Sequence, residues 1–152
     1  MHAKWSEVDL ATKTWTIPAA RMKANVEHRV PLSARCLKLL YEAKGLSEGG
    51  EYVFPGRRRS ASLSNMVFLM ALRRMGRNDL TAHGFRSSFR DWAAERTNVP
   101  SAVCEAALAH VVRNKVEAAY NRTDLFDRRR DLMAAWSKFS STATREGKRA
   151  TR

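Results

Sequence analysis

Acidic residues are scarce in this chain. Its 152 residues hold 15 Asp+Glu against 28 Lys+Arg, a formal net charge of +13. A surface that basic excludes polycationic partners and points to phosphate-rich ones, nucleic acid first and an anionic membrane second. Cysteine is scarcer still. Cys36 and Cys104 are the two present, each inside an apolar helical pattern. They read as reduced core residues of a cytosolic protein, and neither has a second Cys or His at ligand spacing, which argues against zinc. Nowhere does an apolar run approach the roughly 20 residues of a membrane span, and there is no secretory h-region. Internal repeats are absent too. What is present is a chain of single-domain length that is 44% hydrophobic, enough for a real core.

The first third has strand character. "WSEVDL", "KTWTIPA" and "HRVPLS" are short, aromatic and β-branched. Strands near 14–18 and 28–32 make a hairpin with Met22 to Glu27 near its tip, and Pro18 and Pro31 keep those strands short or at an edge. The period then changes. Ser33 is placed to cap a helix with Leu37, Leu40 and Tyr41 on one face. A loop follows, "SEGGEYVFPG", holding a brief extended piece. Leu63, Met66, Val67, Met70 and Ala71 form an amphipathic stripe that Gly76 ends. Thr81 caps a helix that buries Phe85, Phe89, Trp92 and Ala93. Pro100 opens another, running to about Leu108. A short helix covers Asn114 to Tyr120, and a last one places Leu132, Ala135, Trp136 and Phe139 together. Residues 141–152 read as a basic, mobile tail. The expected fold is α+β and mainly α: a small antiparallel N-terminal sheet of about three strands, with a helical bundle over 1–140.

Several residues could carry chemistry. In "TAHGFRSSF", His83 and Arg86 are three apart in a first helical turn, where free N–H groups and the helix dipole favour an anion. Arginine adds a planar fork of donors that matches two phosphate oxygens. The plainer alternative is a capping histidine and a solvated arginine. His110 ends the apolar helix of "EAALAHVVRNK", where the dipole favours a cation. Tyr120, in "AAYNR", has a hydroxyl whose ordinary pKa of about 10 makes it a poor nucleophile without a base or a cationic site. On its own it reads as a packing tyrosine. Lys23, at the hairpin tip, reads as solvated or as a proton donor to bound DNA.

Taken in order, these pieces resemble the catalytic domain of the tyrosine recombinases, the phage and genomic-island integrase family. The carrying residues are "HGFRSSF" at 83–89, "LAH" at 108–110 and "AAYNR" at 118–122. The hairpin run "WTIPAARMKANVEHRVPLS", with "YVFP" and "RRRDLMAAWSKF", is similar to integrases of the P4-phage type. The resemblance implies that Tyr120 attacks the scissile phosphate and forms a 3′-phosphotyrosyl link, releasing a 5′-hydroxyl. Arg86 would clamp the non-bridging oxygens, and His83 would assist proton transfer and phosphate binding. His110 would hydrogen-bond the phosphate, and Lys23 would protonate the departing 5′-oxygen. It implies no metal and no nucleotide cofactor. The partners it implies are double-stranded DNA and other recombinase protomers, in the bacterial cytoplasm and with no membrane.

The family's first catalytic arginine belongs to a "T-G-x-R-x-x-E" helix upstream of the first strand, and no residue of this chain matches it. The expectation is therefore a C-terminal piece without that helix or the core-binding domain, compatible with a monomer, that binds DNA and cleaves it feebly or not at all. A non-enzymatic DNA-binding module or decayed integrase remnant is the alternative. A type IB topoisomerase uses similar chemistry, but His110 and the integrase-like flanks argue against it.

Overall fold

The structure is a computed structural model. It describes residues 2–57, 61–110 and 124–149, with side chains through 142 in the last segment. Tyr120 and the short helix expected at 114–120 lie outside these residues.

The sheet has three antiparallel strands in the order β1 (Val8–Asp9), β2 (Thr14–Ile17) and β3 (His28–Pro31). In its register Thr14 pairs with Pro31 and Ile17 with His28. Only Val8–Asp9 of "WSEVDL" is strand; Trp5–Glu7 is a 3₁₀ turn. Asp9 makes the reversal that follows, its Oδ1 accepting from the N–H groups of Ala11 and Thr12 at 2.9 Å each. Both N-terminal tryptophans place their ring N–H on a polar partner, Trp5 on Ser47 Oγ and Trp15 on Glu7 Oε2, each at 3.1 Å. That lets large aromatic surfaces pack without an orphaned donor.

Helix α1 (Ala34–Ser47) starts as its sequence demands, with Ser33 Oγ accepting from the Cys36 N–H at 3.3 Å. The inward stripe runs Cys36, Leu40, Ala43, Ser47, at spacings of four, three and four. Tyr41, expected on that face, is 59% exposed. It is one residue, or 100° of helix, past Leu40.

Helix α2 (Met66–Arg74) corrects a larger expectation. Leu72 is buried and Leu69 half-buried, while Met66, Val67, Met70 and Ala71 of the expected stripe are exposed. "MVFLMAL" is apolar almost all round, so periodicity alone supplies two candidate stripes. Phe68 makes an edge-to-face contact with Phe85 at 5.6 Å. Phe85 itself is 47% exposed, rather than buried with Phe89, Trp92 and Ala93.

The main core joins α3 (Ala82–Arg96), α4 (Ser101–Ala107) and α5 (Phe126–Arg149) around Phe89, Trp92, Val103, Cys104, Leu108 and Leu132. Trp136 is its aromatic hub, with ring centroids 5.1 Å from Trp92 and 5.6 Å from Phe89. Phe139 is half-exposed yet stacks on Trp136 at 5.7 Å. Ala135 faces out and Met133 packs in its stead. Helix α5 folds back on α4 and β3 of its own chain. It is helical to Arg149, past residue 141, where the sequence placed the start of a tail. Cys36 is half-buried, Cys104 is buried, and both are free thiols. No described helix is long and apolar enough to cross a membrane.

Candidate active site

Three chain segments meet at a pocket of about 280 Å³: the β2–β3 connection, the end of α4 and the lead-in to α5. Its walls include Met22, Ala24, His28, His110, Asp124 and Arg129. A larger open groove, of about 1090 Å³, runs past Thr14, Thr16, Arg29 and Arg130 and contains none of the residues singled out from the sequence. The smaller pocket is the candidate site because it brings His110 to the turn that carries Lys23.

The β2–β3 connection is built in two steps. Ala19–Arg21 forms a 3₁₀ turn, and the Asn25 N–H then closes a second turn on the Met22 carbonyl at 3.0 Å. Asn25 takes a left-handed φ of 50°, a conformation asparagine tolerates better than most residues. Lys23 is at the centre of this turn, exposed, between the pocket-lining Met22 and Ala24.

Helix α3 brings Arg86. Thr81 Oγ1 caps the helix by accepting from the Gly84 N–H at 3.1 Å. His83, in the second helical position, is exposed and does not line the pocket. Arg86 donates from one terminal nitrogen to the Leu108 carbonyl at 2.5 Å. That bond ties the guanidinium to the chain reversal carrying His110, and its other donors have no partner among the described residues.

The reversal "LAH" is a Schellman ending. The His110 N–H bonds the Glu105 carbonyl at 2.9 Å and the Ala109 N–H bonds the Ala106 carbonyl at 3.1 Å. Ala109 occupies the left-handed position, φ 54°, where glycine is usual. A Cβ there is strained by about 1 kcal/mol. Ala109→Gly is therefore expected to stabilise the fold by about that amount, read as a higher denaturation midpoint. An unchanged or lower midpoint contradicts the assignment of strain.

Glu105 also fixes the His110 ring, its Oε2 lying 2.6 Å from Nδ1. A carboxylate can only accept, so Nδ1 carries a proton and Nε2 is the ring nitrogen left for a ligand. Arg90 reaches the other Glu105 oxygen at 3.4 Å.

The lead-in to α5 is held by Asp124. Its Oδ2 accepts from Arg29 Nε and from Arg129, each at 2.9 Å, and its Oδ1 accepts from the Phe126 N–H at 3.2 Å. Arg129 is 1% exposed, and it also donates to the Arg29 carbonyl at 2.6 Å. Burial pushes its guanidinium pKa down, with Asp124 opposing. The Phe126 ring takes Arg29 at 4.5 Å and Arg130 at 5.0 Å on its π-system. Glu105, Asp124, Arg129 and His28 all escaped the sequence reading. For His28 a signal existed, since strand alternation from Val30 puts it on the same face of β3.

The profile of the phage integrase family matches residues 1–125. Prophage integrase IntA of Escherichia coli K12 is 41% identical over 144 residues, covering 93% of this chain and 35% of the relative. The integrase of enterobacteria phage P4 is 34% identical over 154 residues, covering 90% and 35%. The integrase of Shigella phage Sf6 is 30% identical over 137 residues, covering 88% and 35%. No solved structure matches. The chain spans about a third of the length of the curated relatives it matches. A mainly helical domain with a three-stranded antiparallel sheet, matched by that profile over most of its length, belongs to the phage integrase family, the tyrosine recombinases.

Proposed function

We propose that this chain carries the DNA strand-transfer site of a site-specific recombinase. Tyr120 is the nucleophile. Its oxygen attacks the scissile phosphorus, the bond from phosphorus to the 5′-oxygen breaks, and that oxygen leaves with the electron pair. A 3′-phosphotyrosyl link and a 5′-hydroxyl result. The Lys23 ammonium gives the leaving oxygen its proton, and His83 assists in removing the proton of the tyrosine hydroxyl. Arg86 donates to the non-bridging oxygens, whose charge grows in the pentacoordinate transition state, and His110 does so through Nε2–H when its ring is doubly protonated. Religation reverses the steps on a new 5′-hydroxyl, so the link conserves the phosphodiester and no cofactor is consumed.

The observation that carries this reading is the bond from Arg86 to the Leu108 carbonyl. It joins a guanidinium from α3 to the turn that presents His110, beside the Lys23 turn. His110 lines the pocket, Lys23 sits between its lining residues Met22 and Ala24, and Arg86 is tied to the turn that carries His110. The other two tyrosines support Tyr120 by their placement. Tyr41 lies on α1 and Tyr52 bridges to Lys4, and neither lines this pocket. The relatives, named integrases, are consistent with the same reaction. The protein would act on duplex DNA in the cytoplasm, beside other protomers in a synaptic complex.

No residue of the 152 matches the first arginine of the family, so these residues alone are expected to bind DNA and turn over feebly. The test is incubation with duplex carrying a nick that traps the covalent product. The chain is used as it stands and with a relative's upstream R-x-x-E helix restored. The restored form is expected to accumulate adduct, and Tyr120→Phe in that form none. Adduct in the Phe variant overturns the nucleophile; no adduct with the restored helix favours a non-enzymatic DNA-binding module. The net charge of +13 favours that second reading as much as the first. In both, affinity falls steeply as salt rises.

A further inference from the structure

His28 has no role in the reaction as written, yet it opens β3 at the wall of the pocket that holds His110. Charged groups reach it from every side. Arg129 and Asp124 face it from α5 and its lead-in, Arg86 from α3, His110 with its partner Glu105 from the end of α4, and Glu27 from its own segment. Arg129 is the cation nearest in effect, and its buried Nε has no hydrogen-bond partner among the described residues. A buried cation with an unused donor, beside a half-buried imidazole at the wall of the same pocket, leaves a place for an anion.

We propose that His28 is a further ligand of the DNA phosphate in this pocket, and that it takes up a proton when the phosphate binds. This rests on the reading that the pocket holds a DNA phosphate. Burial, then Arg129 and Arg86, hold the imidazole below its ordinary pKa, with Asp124 partly opposing. The free protein therefore keeps His28 neutral at neutral pH. A phosphate oxygen arriving among Arg86, Arg129 and His110 cancels part of the positive field. The imidazolium becomes the favoured form, because it then donates to an anion. The sign follows from linkage: a pKa higher in the complex than in the free chain means proton uptake, so binding tightens as pH falls through that interval. Above the pKa of the complex the contribution is gone. His28 thus adds a pH-dependent grip to the pH-independent one of the arginines.

The test is NMR titration of the histidine ring protons, on the 152-residue chain with and without a short DNA duplex at low salt. His28→Asn assigns the resonance and keeps a donor at the site; His28→Gln replaces it if the first variant does not fold. In the free chain His28 is expected to titrate below the ordinary imidazole range. With duplex bound its midpoint moves up, and the pH dependence of duplex affinity flattens in His28→Asn. If His110 responds to DNA and His28 does not, this inference fails while the phosphate pocket stands. If neither histidine responds although duplex binds, the pocket is not where the phosphate sits, and both fail.

Discussion

Replacing Arg86 with alanine is expected to lower the rate of covalent adduct formation by about 10²–10³-fold, the usual effect of removing one donor to a developing oxyanion. The effect belongs to the transition state. Arg86 is exposed and, among the described residues, bonds the Leu108 carbonyl alone, so its loss should change stability by only about 1 kcal/mol. Duplex affinity, spread over many phosphate contacts, should fall little. Arg86→Lys should recover only part of the rate, because an ammonium cannot hold the Leu108 carbonyl and two phosphate oxygens in one plane. A normal rate in the alanine variant would remove Arg86 from the site. A large loss of stability would recast it as a structural residue.

Asp124→Ala should destabilise the fold by about 3 kcal/mol, the lower end for breaking a buried pair from one side. Asp124 is 40% exposed, but its partner Arg129 is 1% exposed and would be left with little to oppose its charge. The cap on the Phe126 N–H would go as well. Asp124→Asn keeps a capping oxygen and loses the charge, so it should fall between. Arg129→Met should cost less than Asp124→Ala, since a buried ion pair is often replaced cheaply by an apolar residue of similar volume. Chemical denaturation orders the three. If Arg129→Met is the most destabilising, the fold depends on the guanidinium itself and not on its pairing.

Much of this architecture is legible in the sequence, and the exceptions have physical causes. The β2–β3 pairing follows from short β-branched strands flanked by proline, and Ser33 and Thr81 cap the helices they precede. Where a helix is apolar on one side only, as at Phe89, Trp92 and Ala93, its buried face is plain. Where it is apolar nearly all round, as in α2, the pattern names a helix and not its orientation, and Met66 and Met70 end outside. Of the candidate site, Arg86, His110 and Lys23 are visible as types and spacings. Their supports are not. Glu105 orients His110 from five residues back, and Asp124 bonds Arg29 across 95 positions of chain. The second pairing depends on tertiary closure, which no local pattern encodes, and the first on the chain reversal at Ala109. Ala109 hides for the opposite reason: the reversal before His110 uses an alanine where glycine would have announced it.

The central claim is that Tyr120 joins this chain to DNA, and the most direct measurement is the site of attachment. Trapped adduct from the form with the restored upstream helix is digested with nuclease and protease, and the nucleotide-bearing peptide is sequenced by mass spectrometry. Three tyrosines are available, Tyr41, Tyr52 and Tyr120. The account predicts a phosphotyrosyl link on the peptide containing Tyr120 and on no other. A nucleotide on Tyr41, on Tyr52 or on a residue other than tyrosine would contradict it.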